Sequence, residues 1–142
     1  MQLIGTFDFR DLIVNFGGIN ITGYAEGDAV EVSEENDAFN SVSGADGYVD
    51  RVKNNSNFLN ITLRIRQTSP TNQLLSAAHN ADRLAGVVLP ILIKDVSGTT
   101  LITASAAWVT RHPSITYGNE AKEREWSIKT GSVYAINLGG NK

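Results

Sequence analysis

The chain has no cysteine. That one absence excludes disulfides, thiolate zinc sites and cysteine nucleophiles together, and it fits assembly in a reducing compartment. Histidine is scarce too. His79 and His112 lie far apart, and two such residues cannot by themselves build a structural zinc site. No stretch approaches the roughly 18 apolar residues that a membrane span needs. Met1-Gln2-Leu3-Ile4-Gly5-Thr6 lacks the basic and apolar regions of a signal peptide, so the sequons at Asn20, Asn54 and Asn60 are expected to be incidental. A basic surplus is also missing. The net charge of -3 argues against a general nucleic-acid binder.

What is present suffices for one domain spanning residues 1–142, with 42% hydrophobic and 19% charged residues. Charge is unevenly placed. Residues 1–50 hold ten acids against Arg10, a net of -9, while residues 51–142 hold eleven bases against five acids, a net of +6. Two readings stay open: the halves neutralise each other inside one fold, or the molecule has an acidic face and a basic face suited to head-to-tail association.

Short β-like runs separated by Gly, Asn, Asp and Ser clusters dominate, with one helix among them. Leu12–Phe16 and the run from Ile19 to Tyr24 flank Gly17-Gly18, a pair suited to a type I′ turn. That turn pairs Phe16 with Ile19 and Val14 with Ile21 on one face. A strand over residues 29–34 turns Val30 and Val32 one way, Glu31 and Ser33 the other. Residues 34–47 read as a long acidic loop, ordering only when Phe39 and Val42 dock on something. Residues 58–67 form the clearest strand, with Leu59, Ile61, Leu63 and Ile65 alternating with Asn60, Thr62, Arg64 and Arg66.

Ser69-Pro70 reads as a helix start and Gly86 as its left-handed cap. Leu74, Leu75, Ala78, Ala81, Leu84 and Ala85 supply an apolar stripe, of which Leu74, Ala78, Ala81 and Leu84 are expected to pack on the sheet, leaving Gln73, Asn80 and Arg83 outward. A second hairpin joins residues 87–94 and 100–108, and residues 125–137 form one last strand carrying Trp126, Ile128, Tyr134 and Ile136 on one face. The closing Gly139-Gly140-Asn141-Lys142 is expected to be loose.

No enzyme is visible in these residues. Ser76, His79 and Asp82 have the composition of a hydrolase triad, yet all three fall on one regular helix, with no strained turn and no oxyanion hole. They read as its outward polar side. His112 precedes Pro113 in a loop. The acids from Glu34 to Asp46 lack the alternation of a calcium loop, and no lysine follows Gly17-Gly18 to make it a phosphate loop. No catalytic, cofactor or metal residue is assigned.

An ordered series nevertheless stands out. It runs Val14-Asn15-Phe16-Gly17-Gly18, Asn36-Asp37-Ala38-Phe39, Gly44-Ala45-Asp46-Gly47, then Arg51, Asn54-Asn55 and residues 67–72. Leu92-Ile93-Lys94-Asp95, Ala107-Trp108 and Glu123-Arg124-Glu125-Trp126 complete it. Over roughly residues 10–140 the series resembles the tail tube subunits of contractile-tailed bacteriophages, whose fold is similar to type VI secretion tubes. The resemblance implies a mainly β protein, a sandwich or half-barrel with one flanking helix, completing a hexameric ring barrel. It implies rings stacking into a conduit for DNA ejection, inside a sheath, with baseplate and terminator proteins as further partners. It places the protein in the virion tail, after assembly in host cytoplasm.

On that reading Glu34, Glu35, Asp37, Phe39, Asp46, Arg51 and Lys53 are the expected contacts between subunits or rings. Glu31, Asn60, Thr62, Arg64 and Arg66 are the expected lumen face, past which DNA slides without specific binding. Two arginines there would retard DNA unless acids such as Glu31 and Glu35 neutralise them. The competing expectation is a monomeric β-sandwich that binds carbohydrate or peptide through Phe39, Tyr48 and Tyr117.

Overall fold

A computed structural model describes residues 5, 7–131 and 133–140. Met1–Ile4, Thr6, Ser132, Asn141 and Lys142 lie outside the described residues, and with them most of the reading of the amino terminus and half of the closing Gly139–Lys142.

The first hairpin forms as its glycines dictate. Gly17 and Gly18 hold φ of 60° and 89°, the left-handed pair that a two-residue I′ turn demands. Strand β1 (Leu12–Phe16) therefore pairs with β2 (Ile19–Asn20) at Phe16↔Ile19. The Ile21 amide still donates to the Val14 carbonyl (2.9 Å), burying Val14, Phe16 and Ile21 together. The ladder stops at Asn20, short of the expected Tyr24. Beyond it, Thr22 turns toward the helix, where Thr71 and Ser69 hydroxyls donate to its carbonyl at 3.0 and 2.9 Å.

The remaining elements are β3 (Val30–Glu34), β4 (Phe39–Ser43), β5 (Val49–Lys53), β6 (Leu59–Arg66), α1 (Thr71–Ala85), β7 (Leu89–Asp95), β8 (Leu101–Arg111), β9 (Glu123–Thr130) and β10 (Tyr134–Asn137). The main sheet runs β2-β1-β7-β8-β9-β6-β3, with β10 also on β8. All its described pairs are antiparallel, and the sheet does not close on itself.

Strand β8 is the hinge of this sheet. Leu101 to Ala104 pair with β10, while Ala107 to Arg111 pair with β9, and register shifts opposite Leu89/Ile91 and at Val109/Arg111 bend it. The expected single strand over 125–137 is thus broken. It divides at Gly131, whose amide reaches the Ala106 carbonyl (2.8 Å) at the bulge in β8.

Bending brings the inner faces onto one core. Leu59, Ile61, Leu63 and Ile65 of β6 are fully buried with Trp126 and Ile128, and the same cluster holds Val14, Phe16, Ile91, Ile93 and Ile102. Burying each such aliphatic side chain contributes about 1.5–3 kcal/mol, which makes the alternation in β6 the main determinant of its register.

Two expectations fail here. Residues 34–47 are not a loop awaiting a partner: β4 and β5 form a regular two-stranded hairpin, closed by the Gly44 amide to the Tyr48 carbonyl (2.7 Å) with Gly47 at φ 90°. Every residue of both strands is exposed, so no burial period was written into them. The helix, in turn, is rotated from its expected setting. It buries Asn72, Leu75 and His79, while Leu74, Ala81 and Leu84 are exposed. Asn72 meets a partner on the sheet, accepting from Trp126 Nε1 at 2.9 Å, whereas the His79 ring packs on that of His112 just past β8 and its Nδ1 has no hydrogen-bond partner among the described residues. Ser69 still caps the start, accepting from the Thr71 amide at 3.2 Å, and Gly86 ends it at φ 67°.

Candidate assembly surfaces

The β4–β5 hairpin stands off the sheet as an arm, linking β3 to β6. Directly opposed residues of an antiparallel ladder share a face. Phe39, Ser41, Ser43, Val49, Arg51 and Lys53 therefore lie on one side, and Asn40, Val42, Asp50 and Val52 on the other. The first side is partly covered from within, because the Arg51 guanidinium sits 4.0 Å from the centre of the Phe39 ring. The second side has no such cover, leaving Val42 61% and Val52 54% exposed. At the tip, Asp46 Oδ1 accepts from the Tyr48 amide at 3.3 Å, and the Tyr48 ring stands in solvent.

The acids assigned to this region by sequence fall in different places. Asp37 and Asp46 belong to the arm, whereas Glu34 and Glu35 sit at its foot. Glu34 accepts from the Asn57 amide nitrogen at 3.1 Å. Burial, and then the Glu34 carboxylate, push the Tyr134 phenol above its ordinary value. Glu35 reaches across the sheet to Lys129 Nζ at 3.2 Å. Arg51 and Lys53 lie on the same arm as Asp37 and Asp46, so they form no separate basic pole.

The polar face of the sheet is assembled by register. Asn60, Thr62, Arg64 and Arg66 stand opposite Lys129, Ser127, Glu125 and Glu123 of β9, and Thr62 is flanked by Glu31 of β3. Arg64 is held three ways: Nη1 donates to the Asp28 carbonyl (2.8 Å), Nη2 is 3.6 Å from Glu31 and Nε 3.7 Å from Glu125. Lys129 lies over the Phe58 ring at 4.5 Å besides pairing with Glu35. Of the acids expected to neutralise the two arginines, Glu31 pairs with Arg64, Glu35 pairs with Lys129 instead, and Arg66 is in no ion pair of the described residues. Sequence reasoning missed Glu125 and Lys129, because only the pairing of β6 with a strand some sixty residues later brings them in.

The residues with catalytic composition come together differently from their order on the helix. Ser76 Oγ lies 3.0 Å from His112 Nε2, not against His79. His79 is buried instead of outward, its ring edge-on to His112 at 4.7 Å, and His112 in turn lies 6.0 Å from Trp126. Among the described residues, no carboxylate hydrogen-bonds to either imidazole, and no group of three or more His, Asp or Glu is placed to hold a metal. These contacts fasten α1 to β8 and β9. The aromatics of the binding-module expectation are split between segments: Phe39 and Tyr48 belong to the arm, Tyr117 to the loop after β8.

A family model described as the bacteriophage PhiTE tail tube protein matches residues 5–139. The structural protein ORF10 of Pseudomonas phage KPP10 is 31% identical over 125 residues, covering 86% of this chain and 72% of that protein. Among solved structures, a chain from the virion of a native gene transfer agent particle aligns with a TM-score of 0.65 at 12% identity, over 94% of this chain and all of that one (100%). A chain from the sheath/tube terminator of the PVC extracellular contractile injection system aligns at 0.64 and 19% identity, over 96% and 100%. One from the sheath-tube complex of the same system aligns at 0.62 and 19%, over 93% and 91%. At these identities the structures speak for the fold. The family model, spanning sheet, arm and helix alike, shows that the chain belongs to the bacteriophage tail tube proteins.

Proposed function

We propose that the whole chain acts as one tail-tube domain and that six copies close into a ring, their sheets joining as a barrel around a lumen. The observation that carries this reading is the open sheet: among the described residues, β2, β3 and β10 end it with unpaired edges, and joining sheets around a ring is the arrangement that removes edges altogether. Stacked rings make the conduit for ejected DNA, built in the host cytoplasm and carried in the virion with sheath, baseplate and terminator proteins around it. The work is assembly, with no catalytic step.

In this arrangement Glu31, Asn60, Thr62, Arg64 and Arg66 line the lumen. Holding Arg64 and Lys129 in ion pairs keeps phosphates from sticking. The arm, with Asp37, Phe39, Asp46, Arg51 and Lys53, and its foot, with Glu34 and Glu35, supply contacts between subunits. Replacing residues 37–52 by a short Gly-Ser turn should leave a folded subunit, by circular dichroism, that forms no rings or tubes in negative-stain images. Tubes from the armless chain would remove the arm from assembly, and an intact chain that stays monomeric at high concentration would remove the ring.

A further inference from the structure

The outward face of the β1–β7–β8–β10 part of the sheet carries an open groove of about 530 Å³. Register places Asn15, Leu92, Thr103 and Ala135 in one row across its four strands, turned away from the core. Ser105 lines it beside that row, and no charged side chain lines it among the described residues. Lys94, two residues beyond Leu92 on the same face, is in no ion pair of the described residues.

We infer that this groove receives the Val42–Val52 face of the arm of a second copy of the chain. The inference rests on the reading that the arm makes subunit contacts, and it names the surface contacted. A lone two-stranded hairpin is at best marginally stable in water, so an arm of this kind gains from being covered. On its Phe39 side Arg51 lies over the ring, while Val49 near the tip is 65% exposed; the Val42–Val52 side sets two neighbouring valines, 61% and 54% exposed, together as one apolar surface. The chemistry of the two surfaces matches. Two valines meet an uncharged groove, and Asp50, the one charge on that side of the arm, meets the free ammonium of Lys94 beside the groove. Their placement decides between self-contact and propagation. The arm grows from β3 and β6 at one end of the strand order, whereas the groove lies over β1, β7 and β8 toward the other. Such a contact is heterologous: each copy fills a neighbour's groove and keeps its own open to the next, the arrangement that yields rings and stacks.

The absence of cysteine gives a clean test. Val42→Cys subunits and Ala135→Cys subunits, both at exposed positions, are purified separately, mixed, assembled and treated with a mild oxidant. A disulfide forms only if the two Cβ atoms come within about 3.5–4.5 Å. Covalent dimers should appear in the mixture, several-fold above a control pairing Val42→Cys with Leu84→Cys, whose position on the helix is also exposed. No dimers, or as many with the control, would overturn the groove as the receptor. In that event Val42→Asp separates the two ideas. If it abolishes tubes, the arm docks on another surface, such as that of a sheath protein or another part of the subunit. If it leaves them normal, the arm's role in assembly falls as well.

Discussion

Removing both carboxylates that flank Arg64 should turn an inert wall into one that holds DNA. The polar face, taken over β3, β6, β8, β9 and Glu35, carries Glu31, Glu35, Glu123 and Glu125 against Arg64, Arg66, Arg111 and Lys129, a sum of zero. Glu31→Gln with Glu125→Gln changes that sum to +2 per subunit without changing shape. The fold should tolerate it. Bare Coulomb energy at 3.6–3.7 Å is about 4–5 kcal/mol per pair at an effective dielectric constant of about 20. Most of that is returned as desolvation and ordering, because the Glu31 and Glu125 side chains are 62% and 58% exposed, and exposed pairs contribute only about 0–1 kcal/mol. The double variant should therefore lose no more than about 2 kcal/mol in urea denaturation and still form tubes. What changes is Arg64, whose guanidinium keeps only the Asp28 carbonyl and becomes free for phosphate. Tubes of the double variant should retain short duplex DNA in a sedimentation assay at about 50 mM salt and release it by about 200 mM, as counterion release requires. Native tubes should retain little at either. If the variant tubes bind no more DNA than native ones, this face does not line the lumen.

Three further outcomes check the packing. Leu75 is fully buried at 0% exposure and Leu74 is 47% exposed, so Leu75→Ala should cost about 2–5 kcal/mol and Leu74→Ala less than about 1 kcal/mol in denaturant titrations; equal costs would mean that the helix is turned the other way. Asn72→Ala deletes both the acceptor for the buried Trp126 indole and the donor to the Arg66, Gln67 and Ser69 carbonyls and should cost about 1–3 kcal/mol, and Asn72→Asp, which keeps the acceptor but turns a carboxylate oxygen on those carbonyls, should fail to recover that loss in the same denaturant titrations. Burial first, then the charges of His79 and Arg83, hold His112 below its ordinary 6.5. The unfolded chain thus takes the proton more readily, so stability is complete above about pH 6.5 and falls as pH drops through that value toward the folded pKa. His112→Gln should flatten this slope in thermal melts recorded from pH 7.5 down to about 5.

Much of the β architecture was legible because two local signals are strong. Adjacent glycines admit few turns, so Gly17-Gly18 set the register of Phe16 and Ile19. Four aliphatic residues at spacing two could face only a core, so β6 was readable residue by residue. Where the sequence misled, the winning term was a partner far away in the chain. Leu74 and Leu84 are the more apolar choice for an inner face, but Asn72 and His79 took it because Trp126 and His112 offer a hydrogen bond and a ring. Nothing local announces that bargain. The arm was missed for the opposite reason. With both faces wet, Phe-Asn-Ser-Val-Ser and Val-Asp-Arg-Val-Lys keep no burial period, and a strand without one reads as loop.

The fate of the charge asymmetry follows from topology. A chain with -9 in its first fifty residues and +6 in the rest would have two poles if its halves folded side by side. Here they interleave. β3 from the acidic half pairs with β6 from the basic half, and β6 pairs with β9. Glu31 thereby reaches Arg64, and Glu35 reaches Lys129. The arm also straddles the boundary, so Asp37, Asp46 and Asp50 share one hairpin with Arg51 and Lys53. Acid and base that meet within a subunit are no longer available to join subunits. The arm's Asp37, Asp46, Asp50 and Lys53 are in no ion pair of the described residues, and the proposed arm contact sets them beside Val42 and Val52, 61% and 54% exposed. If the arm docks as proposed, salt should weaken its ionic part, Asp50 with Lys94, while the part made by Val42 and Val52 persists under screening that shortens the Debye length to about 3 Å at 1 M.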